Sequence, residues 1–425
     1  MRTLAMVLAA VAVVVVGAAR AGVLGVGPGE PYASPCAAVA ASQDGDVIEV
    51  DAGTYVDEEC VISRDGITVR GVNGRPKLVA PAVITNQKGI FVQTGADLTV
   101  DGLELTGARL PVDKNGAGIR SQGGNLTIRN CWIHDNDDGI LVGPADGDAG
   151  VLIENSEFSG NGAGDGYSHN IYVSSPTRWF TMRASWSHDS SVGHLVKSRA
   201  RETTLLYNRL TSEQGTTSYE VNIPNGGTTV LVGNLIEQGP NGQNNTVISY
   251  GEEGITADHA DDLYIVNNTI VNDRSSGTFV WGNNSTTSAV IRNNILWGRT
   301  TLVSIGKSTT DHNVETSANL FENAAGFDYR VKDGTATVVD QGTDPGTTVD
   351  GGSLAPTEQY VHPASSEPRP VGAVFDLGAY ELPEAPDAGT GGPFPGFCRC
   401  SVDGGSAAVA ALVLLAAAWR KRRAS

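Results

Sequence analysis

The sequence predicts an all-β solenoid, in which short parallel strands stack coil upon coil around one shared core. The first observation is a phrase of alternating apolar residues, ending in most copies in Asn or Gly, that recurs along the chain. The second is its spacing, because copies 24 to 33 residues apart are too close for independent domains and typical of stacked repeats. The copies are Ile67–Gly71, Leu98–Gly102, Leu126–Asn130, Val151–Asn155, Phe180–Ala184, Thr204–Asn208, Val230–Asn234, Leu263–Asn267 and Ala289–Asn293.

The composition agrees with this fold class and excludes others. The 425 residues include 53 Gly, well above the usual share, and only 6% are aromatic. A helical bundle would instead be rich in Leu, Ala, Glu and Lys with a helical period. The formal charge of −18 argues against a nucleic-acid partner, because the phosphate backbone repels an acidic surface.

The residue that ends each phrase predicts the corner between two strands. Asn tolerates the left-handed backbone of a tight corner, and Gly adopts it freely. Asn side chains stacked in successive coils can also hydrogen-bond along the column, as in other cross-strand ladders. The alternative is a β-sandwich, whose strands would have no reason to repeat the same corner residue.

The N-terminal residues are predicted to be a secretory signal peptide. Residues 1–21 have a positive start at Arg2, an apolar stretch and a cleavage site flanked by small residues at Ala19 and Ala21. The alternative is a membrane-spanning helix, which needs about 20 apolar residues and is longer than this stretch. We therefore expect an exported protein with one folded domain over residues 22–382.

The C-terminal end has a three-part order. Residues 383–397 form a linker with Pro and Gly, Cys398 and Cys400 follow, and an apolar run leads into the basic cluster Arg420–Arg423. An apolar segment followed by cations stays in a membrane with its basic end in the cytoplasm. Residues 398–425 resemble the C-terminal sorting tag of myxobacterial surface proteins, MYXO-CTERM. The resemblance implies a processing protease, and localisation at the cell surface (outer membrane) or secretion.

Two cysteines near the start of the mature chain, Cys36 and Cys60, could form a disulfide after export. Cys131 has no evident mate and is predicted to be a small buried side chain. The Cys and His residues of the sequence do not show the spacing of a zinc site.

The repeat resembles the single-stranded right-handed parallel β-helix of the pectate-lyase-like superfamily, over about residues 33–382. Gly45–Tyr55 is similar to the first coil of that family, and Phe375–Glu381 to its last strand. The resemblance implies the right hand of the helix, which agrees with the crossover rule for parallel strands. Because this scaffold hosts lyases, hydrolases, epimerases and passive adhesins, function has to be argued from a site.

Function is expected where outward side chains depart from the plain repeat, between Gly166 and Glu253. Side chains alternate between the two faces of a strand. Burying Lys197 and Arg199 together would place two unpaired charges in the core, so both must point outward. Alternation turns His169, His194 and Tyr219 inward. The predicted outward stripe, with about 5 Å between coils, consists of Asn170, Tyr172, Lys197, Arg199, Glu220 and Asn222.

This stripe suits an acidic sugar. Arg199 could grip a carboxylate with two parallel hydrogen bonds, and Lys197 beside another cation has a lowered pKa that makes it a base. His169 and His194 flank the stripe as further catalytic candidates or as satisfied core residues. Glu220 is a catalytic candidate that could also hold Ca²⁺. The predicted activity is β-elimination of an extracellular acidic polysaccharide, with the substrate contacts Asn170, Tyr172, Asn222 and Glu253.

The pair Lys197-Ser198 is similar to the Lys-Ser segment of chondroitinase-B-like alginate lyases, which implies that Lys197 is the base. The catalytic Arg of that family should fall about one coil later, where this chain has no Arg. Two alternatives stay open. The stripe could bind a polysaccharide without cleaving it, or Lys197, Arg199 and Glu220 could form an inter-coil salt bridge in a structural or adhesive surface protein.

Other polar loops are weaker candidates for chemistry. Acidic residues at 135–138, 146–148 and 258–262 could bind Ca²⁺, but they lack the spacing of an EF-hand and are interpreted as solvated loops. Ser187-His188-Asp189 lies at a predicted turn, where it could supply a general acid or form a plain polar corner.

Overall fold

The computed structural model describes residues 21–143, 147–298, 301–370 and 372–383. Over these residues the chain is an all-β, right-handed parallel β-helix, which confirms the fold class that the repeat predicts. Each coil runs through three long parallel sheets in turn, which we name A, B and C. Within the described residues, we find no helix that is both long and apolar enough to cross a membrane.

The three sheets consist of strands of three to five residues, one from each successive coil. In the described residues, sheet A has the twelve strands Val23–Val26, Val47–Asp51, Thr68–Val72, Leu98–Asp101, Leu126–Arg129, Gly150–Glu154, Trp179–Arg183, Glu202–Leu206, Thr228–Val232, Asp262–Val266, Ser288–Arg292 and Thr309–Asp311. Sheet B, over the same part of the chain, has the eleven strands Thr54–Val56, Lys77–Val79, Glu104–Thr106, Trp132–His134, Glu157–Ser159, Trp186–His188, Arg209–Thr211, Leu235–Gln238, Thr269–Asn272, Ile295–Gly298 and Val314–Thr316. Sheet C, likewise counted over the described ranges, has the ten strands Cys60–Ile62, Gly89–Gln93, Ala117–Ser121, Asp138–Val142, Ile171–Val173, Val196–Ser198, Val221–Ile223, Thr246–Tyr250, Thr278–Gly282 and Thr301–Ser304.

The core consists of apolar columns in which equivalent residues stack directly on one another. In sheet A, Ile128 pairs with Val100 of the preceding coil and with Ile153 of the next. These side chains are fully buried. The same column continues through Met182, Leu205, Leu231, Ile265 and Ile291. Because a strand of this length buries little alone, the stability of the fold comes from stacking between coils.

The corner between sheets A and B has the predicted left-handed turn and the predicted column of hydrogen-bonding side chains. The two features lie on adjacent residues rather than on one. One residue with positive φ turns the chain, and this position is held by Gly102, Asn130, Asn155, Ala184, Tyr207, Gly233, Asn267 and Asn293. From Ser156 onward, the side chain of the next residue accepts a hydrogen bond from the equivalent backbone N–H of the preceding coil. We name this column of side chains the corner ladder, and its Asn members are Asn208, Asn234, Asn268, Asn294 and Asn313.

Asn208 and Asn234, predicted as left-handed corner residues, therefore belong to the corner ladder. The residues before them, Tyr207 and Gly233, make the turn with φ values of 54° and 66°. Counting from Asn to Asn along the sequence mixes these two neighbouring positions, which explains the one-residue error.

The helix Pro35–Ala41 packs its buried Ala38 and Val39 against the first coil. Ser34 caps this helix, because its Oγ accepts the N–H of Ala37. The structure contains a disulfide between Cys36 and Cys60, with Cα atoms 5.4 Å apart. Cys131 is a buried free thiol, and burial raises its pKa to about 12.

After the strand Val314–Thr316 the chain folds back along sheets A and B, and we name residues 317–383 the C-terminal segment. It contains the hairpins Phe321–Asn323/Asp328–Val331 and Glu358–Val361/Ser365–Pro368, and a short 3₁₀ turn at Ala324–Gly326. The segment is tied to the coils, for example by the Thr357 N–H, which donates to the Tyr207 hydroxyl at 3.0 Å.

Phe375–Glu381, predicted as a last strand, has no strand conformation. The buried guanidinium of Arg369 donates hydrogen bonds to the backbone carbonyls of Asp376, Gly378 and Tyr380. It also donates to the Glu381 carboxylate at 3.0 Å. This arrangement satisfies a buried charge and prevents the extended conformation that a strand requires.

Several predicted segments lie outside the described residues. These are the signal peptide before Ala21, the linker from residue 384, the sorting tag at 398–425 with Cys398 and Cys400, and Asp146.

Candidate functional site

The outward face of sheet C carries three of the six residues of the predicted stripe. Tyr172 pairs in register with Lys197, Lys197 with Asn222, and Asn222 with Ser249. The adjacent Val196 is fully buried in the core, so these four side chains point away from it, as alternation predicts for Tyr172, Lys197 and Asn222. We name the full column the sheet C stripe, and its members are Arg120, Leu141, Tyr172, Lys197, Asn222, Ser249 and Trp281.

Asn170 and Glu220, predicted to point outward, are instead fully buried. Together with Leu195 they occupy the residue before the sheet C strand, where the chain bends. The bend sends two consecutive side chains inward, so alternation counted back from the strand assigns the wrong face. Asn170 Nδ2 donates to Ser187 Oγ at 3.0 Å and to the His188 carbonyl at 2.8 Å, and is an interior residue rather than a substrate contact.

Glu220 is a buried carboxyl group with two neutral partners. Ser212 Oγ donates to it at 2.6 Å and Gln238 Nε2 at 2.9 Å. Burial raises the pKa of Glu220 well above its ordinary value, which favours the neutral acid over the charged carboxylate. It therefore does not offer Ca²⁺ the charged oxygen that the prediction requires. Elsewhere in the described residues, we find no group of three His, Cys, Asp or Glu side chains arranged to hold a metal ion.

His169, His194 and Tyr219 form a second column beside the sheet C stripe. His169 Nδ1 accepts the backbone N–H of His194 at 3.0 Å, and His194 Nδ1 accepts that of Tyr219 at 3.3 Å. The two imidazoles stack 4.4 Å apart, and His169 meets the outward Tyr172 edge-on at 5.4 Å. Both histidines are buried, and their rings contact Tyr172 and Tyr219. Tyr219, predicted inward, lies with them because the same bend intervenes.

Both histidines are neutral near pH 7. Desolvation lowers the pKa of His194 to about 3 and that of His169 well below its ordinary value, and the charge of Lys197 adds to both shifts. Because each Nδ1 accepts a hydrogen bond, the proton lies on Nε2. These side chains can donate a hydrogen bond to a ligand, but they are not the charged acids that catalysis by imidazolium requires.

Lys197 is half-buried on the stripe, and its amine has no acceptor. Nζ lies 5.3 Å from the centre of the Tyr172 ring and forms no hydrogen bond or ion pair with any residue that the structure describes. Burial lowers the pKa of the Lys197 ammonium, and Arg199 adds to this effect, while Tyr172, Glu253 and Glu252 oppose it. A lower pKa leaves more of the amine neutral and therefore able to act as a base.

Arg199, two residues further on, is fully engaged. Its Nη1 and Nη2 donate to the two carboxylate oxygens of Glu253 at 2.7 and 2.8 Å. Its Nε donates to the Tyr172 hydroxyl at 3.1 Å, and Nη1 also donates to Asn225. The bond to Glu253 raises the pKa of Arg199 and lowers that of Glu253. The fork predicted to hold a substrate carboxylate holds a carboxylate of the protein, so Glu253 is not a free substrate contact.

Glu252 holds two further residues of the sheet C stripe, Asn222 and Ser249. The sequence pattern does not distinguish Glu252 from Glu253. The Glu252 carboxylate accepts the Asn222 amide and the Ser249 hydroxyl, both at 2.8 Å. The unusual Gly-Glu-Glu-Gly loop is visible in the sequence, but the path of the loop decides which acid meets which strand. Asn222 is on the predicted face, yet its amide is already held by the protein.

Arg120 is a stripe residue that the sequence reasoning missed. It lies with Tyr172 at a depression of about 280 Å³. Burial lowers its pKa, and its guanidinium forms no hydrogen bond or ion pair within the described part of the chain. The alternation of Ala117–Ser121 could have shown that this cation points outward. A second depression, of about 450 Å³, is lined by Arg199 and Asn225.

The acidic loops serve the protein itself. Asp137 accepts two backbone N–H groups at 2.7 and 3.1 Å, and Asp138 accepts the N–H of His169 at 2.8 Å. Asp258 pairs with Arg201 at 3.3 Å, and Asp261 accepts a backbone N–H at 2.6 Å. Asp137 and Asp138 are buried, which corrects the interpretation of residues 135–138 as a solvated loop. Asp258 and Asp261 each have at least one internal partner.

His188 lies in sheet B and not beside the stripe. Its ring is held between Asp189 at 2.8 Å and Glu157 at 3.3 Å, and it stacks on Trp186 at 3.7 Å. These partners raise its pKa despite burial. Because sheet B faces a different side of the solenoid, His188 cannot supply an acid to the sheet C stripe.

Known proteins support the fold described above. Residues 61–236 match the family model described as a right handed beta helix region. The chain is similar to pectate lyase Pel9A, with a TM-score of 0.59 and 16% identity over 86% of this chain and 97% of that one. The chain is also similar to the PL6 family alginate lyase AlyGC, with a TM-score of 0.40 and 14% identity over 69% of this chain and 40% of that one. No curated protein matches the sequence.

Proposed function

We propose that the sheet C stripe binds an extracellular acidic polysaccharide and that Lys197 cleaves it by β-elimination. The observation that carries the proposal is the unpaired, half-buried amine of Lys197 on the outward face. Partial burial of a cation without a partner costs folding free energy, and such groups are concentrated at functional sites. The pectate lyase Pel9A, which shares the fold, is a named example of a lyase on this scaffold.

Binding is supported by the arrangement of the sheet C stripe. Arg120 and Lys197 are three rungs apart, which corresponds to about 14 Å, and both are unpaired among the described residues of an acidic chain. Tyr172 and Trp281, four rungs apart, add aromatic surface against which sugar rings can pack. A long face with cations and aromatic rings fits an extended polyuronate.

The elimination step uses the neutral form of Lys197. Its amine takes the C5 proton of a uronate, the C4–O bond breaks as the C4–C5 double bond forms, and the ammonium returns the proton through water to the leaving oxygen. The step also needs the uronate carboxylate to be neutralised. Arg199 can do this if the substrate carboxylate replaces Glu253 in its fork.

The cleavage test is the rise in ultraviolet absorbance from unsaturated uronates when the protein is given polygalacturonate or alginate, with Ca²⁺ and with EDTA. Lys197→Ala should abolish the signal. Lys197→Arg should do the same, because Arg keeps the charge but is not a base. The control Lys307→Ala, at an exposed position, should retain activity. Turnover that survives in Lys197→Ala would overturn the assignment of the base.

A second candidate function, a structural or adhesive surface protein, is favoured by one observation. Arg199 binds Tyr172, Asn225 and Glu253, and these four residues come from four successive coils, so Arg199 braces the solenoid. This candidate predicts no binding on an array of acidic glycans and a lower melting temperature for Arg199→Ala. Binding that depends on Lys197 would exclude a purely bracing role.

The localisation proposal rests on the sequence. We infer that residues 1–21 direct export and that 398–425 retain the protein at the cell surface through a sorting protease and a membrane segment. Deleting residues 398–425 should release the protein into the medium. Retention of the truncated protein on cells would contradict the role of the tag.

A further inference from the structure

A cavity of about 420 Å³ lies between sheet B and the C-terminal segment, on a different side of the solenoid from the sheet C stripe. Arg209 lines the cavity from sheet B, and the other lining residues belong to the C-terminal segment, at 326–330, at 359–362, and at Glu367 and Tyr380. Cavities of about 300–1,000 Å³ are the size that binds small organic ligands.

The walls of this cavity are aromatic. Tyr360 and Tyr380 line it together with Phe327 and His362. The ring of His362 continues the aromatic surface onto Trp186, at 4.6 Å. Such rings bind the C–H faces of a flat, partly apolar ligand.

The cations around the cavity are already paired with carboxylates. Arg330 is bound to Asp328 at 2.6 Å, and Arg209 to Glu213 at 3.0 Å. Glu367 accepts the Gln359 amide at 2.9 Å. An acidic ligand would therefore find no free cation among these groups and would meet the carboxylate of Glu367, so a neutral ligand is favoured over an acidic one.

Two polar groups at the cavity lack a partner. Arg209 is only 9% exposed, and its buried Nε donates no hydrogen bond in the described part of the chain. The Tyr380 hydroxyl likewise forms no hydrogen bond with a described residue, although it lies near the charges of Arg209, Asp328 and Glu367. Buried polar groups are normally paired, so Arg209 Nε indicates a ligand with an acceptor. The hydroxyl of the partly buried Tyr380 can donate to or accept from the same ligand.

We propose that this cavity binds one neutral sugar ring of a glycan, independently of the sheet C stripe. A sugar ring offers C–H faces to Tyr360 and Tyr380, and hydroxyl groups to Arg209 Nε, the Tyr380 hydroxyl and Glu367. The site extends the proposed function, because a second contact with a neutral sugar would hold a glycan without competing for Lys197.

Saturation-transfer NMR on the full protein tests this site, with the methyl glycosides of glucose, galactose and mannose and with N-acetylglucosamine as probes. At least one probe should receive saturation. Its affinity should fall about threefold or more in Tyr380→Phe, the loss of one hydrogen bond. The matched control Tyr167→Phe, at an exposed residue, should bind as the parent does.

A second variant distinguishes a loss of binding from a loss of folding. Glu367→Ala changes an exposed side chain at the cavity rim and should also weaken binding while leaving the melting temperature within a few degrees. The proposal is overturned if none of the four probes receives saturation, or if Tyr380→Phe and Glu367→Ala bind the probe with unchanged affinity.

Discussion

Lys197 lies in a strand of sheet C and Arg199 follows directly after that strand, but the two cations have opposite environments. Arg199 gives its donors to Glu253, Tyr172 and Asn225, whereas the amine of Lys197 has no acceptor in the described residues. A free cation on an acidic protein attracts an anion at once, while a paired one does so only after its partner leaves. Lys197 is therefore the residue on which the proposed function depends, and Glu253 is the competitor of the substrate.

Glu253→Gln should raise the affinity for hexagalacturonate several-fold. The Glu253 side chain is 46% exposed, so losing its ion pair costs about 1 kcal/mol of stability or less. The substitution weakens the competitor and leaves the Arg199 fork open to a substrate carboxylate. Isothermal titration calorimetry measures the change, with Glu315→Gln at an exposed site as control. An unchanged or weaker affinity would contradict the exchange model.

For single residues, the sequence predicts which face a side chain occupies only where the strand is regular. Alternation places Tyr172, Lys197 and Asn222 correctly, because all three lie within strands of sheet C. It fails at Asn170 and Glu220, because the bend before each strand adds an inward side chain. Such a bend has no signature in the pattern, since Asn and Glu are ordinary on an outward face.

The corner ladder is the element that holds successive coils in register. Each Asn side chain accepts a backbone N–H of the preceding coil, and its amide donates to a carbonyl. Asn234, for example, accepts from Asn208 at 3.0 Å and donates to Leu205 at 2.8 Å. These groups are buried, so the ladder satisfies backbone atoms that water cannot reach.

Asn234→Leu should lower the free energy of unfolding by about 2 kcal/mol or more. It leaves the Asn208 N–H and the Leu205 carbonyl without their side-chain partner, and each unpaired buried group costs about 1–3 kcal/mol. Urea denaturation gives the value. Asn241→Leu, at an exposed turn, should change it by about 0.5 kcal/mol or less. Equal losses in the two variants would show that the ladder adds little.

Ala184→Gly should stabilise the protein. Ala184 makes the left-handed corner with φ of 50°, a conformation that costs a non-Gly residue about 1–2 kcal/mol. Glycine removes most of this strain, against a smaller loss of chain entropy. Scanning calorimetry should show a melting temperature a few degrees higher. Ala200→Gly, where φ is not positive, should lower it, and a similar fall in Ala184→Gly would refute the argument.

The corners could be predicted from the sequence because Asn and Gly favour the left-handed backbone. The assignment of the ladder was off by one residue at Asn208 and Asn234, since Tyr207 and Gly233 take the turn there. Tyr207 has no intrinsic preference for this conformation, and it is held there by the coils above and below. Tertiary stacking of that kind cannot be read from a single repeat.

Over the whole molecule, buried carboxyl groups link stability to pH. Burial raises the pKa of Asp138 and of Glu237 to about 8, and that of Glu220 well above its ordinary value. In the unfolded chain these groups ionise near pH 4. Between about pH 4 and pH 8 the folded state therefore binds more protons, and stability falls as pH rises through that range.

Glu237→Gln should flatten this decline. Glu237 Oε2 accepts the Glu213 N–H at 2.8 Å and its Oε1 has no partner, so an amide can replace the protonated acid. Melting temperatures measured from pH 5 to pH 9 should fall for the parent and fall less for the variant. The variant should be the more stable protein at pH 9. Parallel curves would show that Glu237 does not titrate as proposed.

The solenoid could be predicted from the sequence because each coil repeats the same local pattern. The C-terminal segment could not, because its contacts are unique and distant in sequence, as between Tyr207 and Thr357. The cavity between this segment and sheet B depends on those contacts. The acidic character of the proposed ligand could be foreseen from Lys197, whereas the neutral sugar site could not.

The most direct test of the central claim is the dissociation constant of hexagalacturonate for the parent protein and for Lys197→Ala. We expect the parent to bind and the variant to bind at least about tenfold more weakly, a loss of about 1.4 kcal/mol. Lys307→Ala should bind like the parent, and all three proteins should melt within a few degrees of each other. Equal affinities for the parent and Lys197→Ala, or no binding by the parent, would contradict an acidic-glycan site on the sheet C stripe.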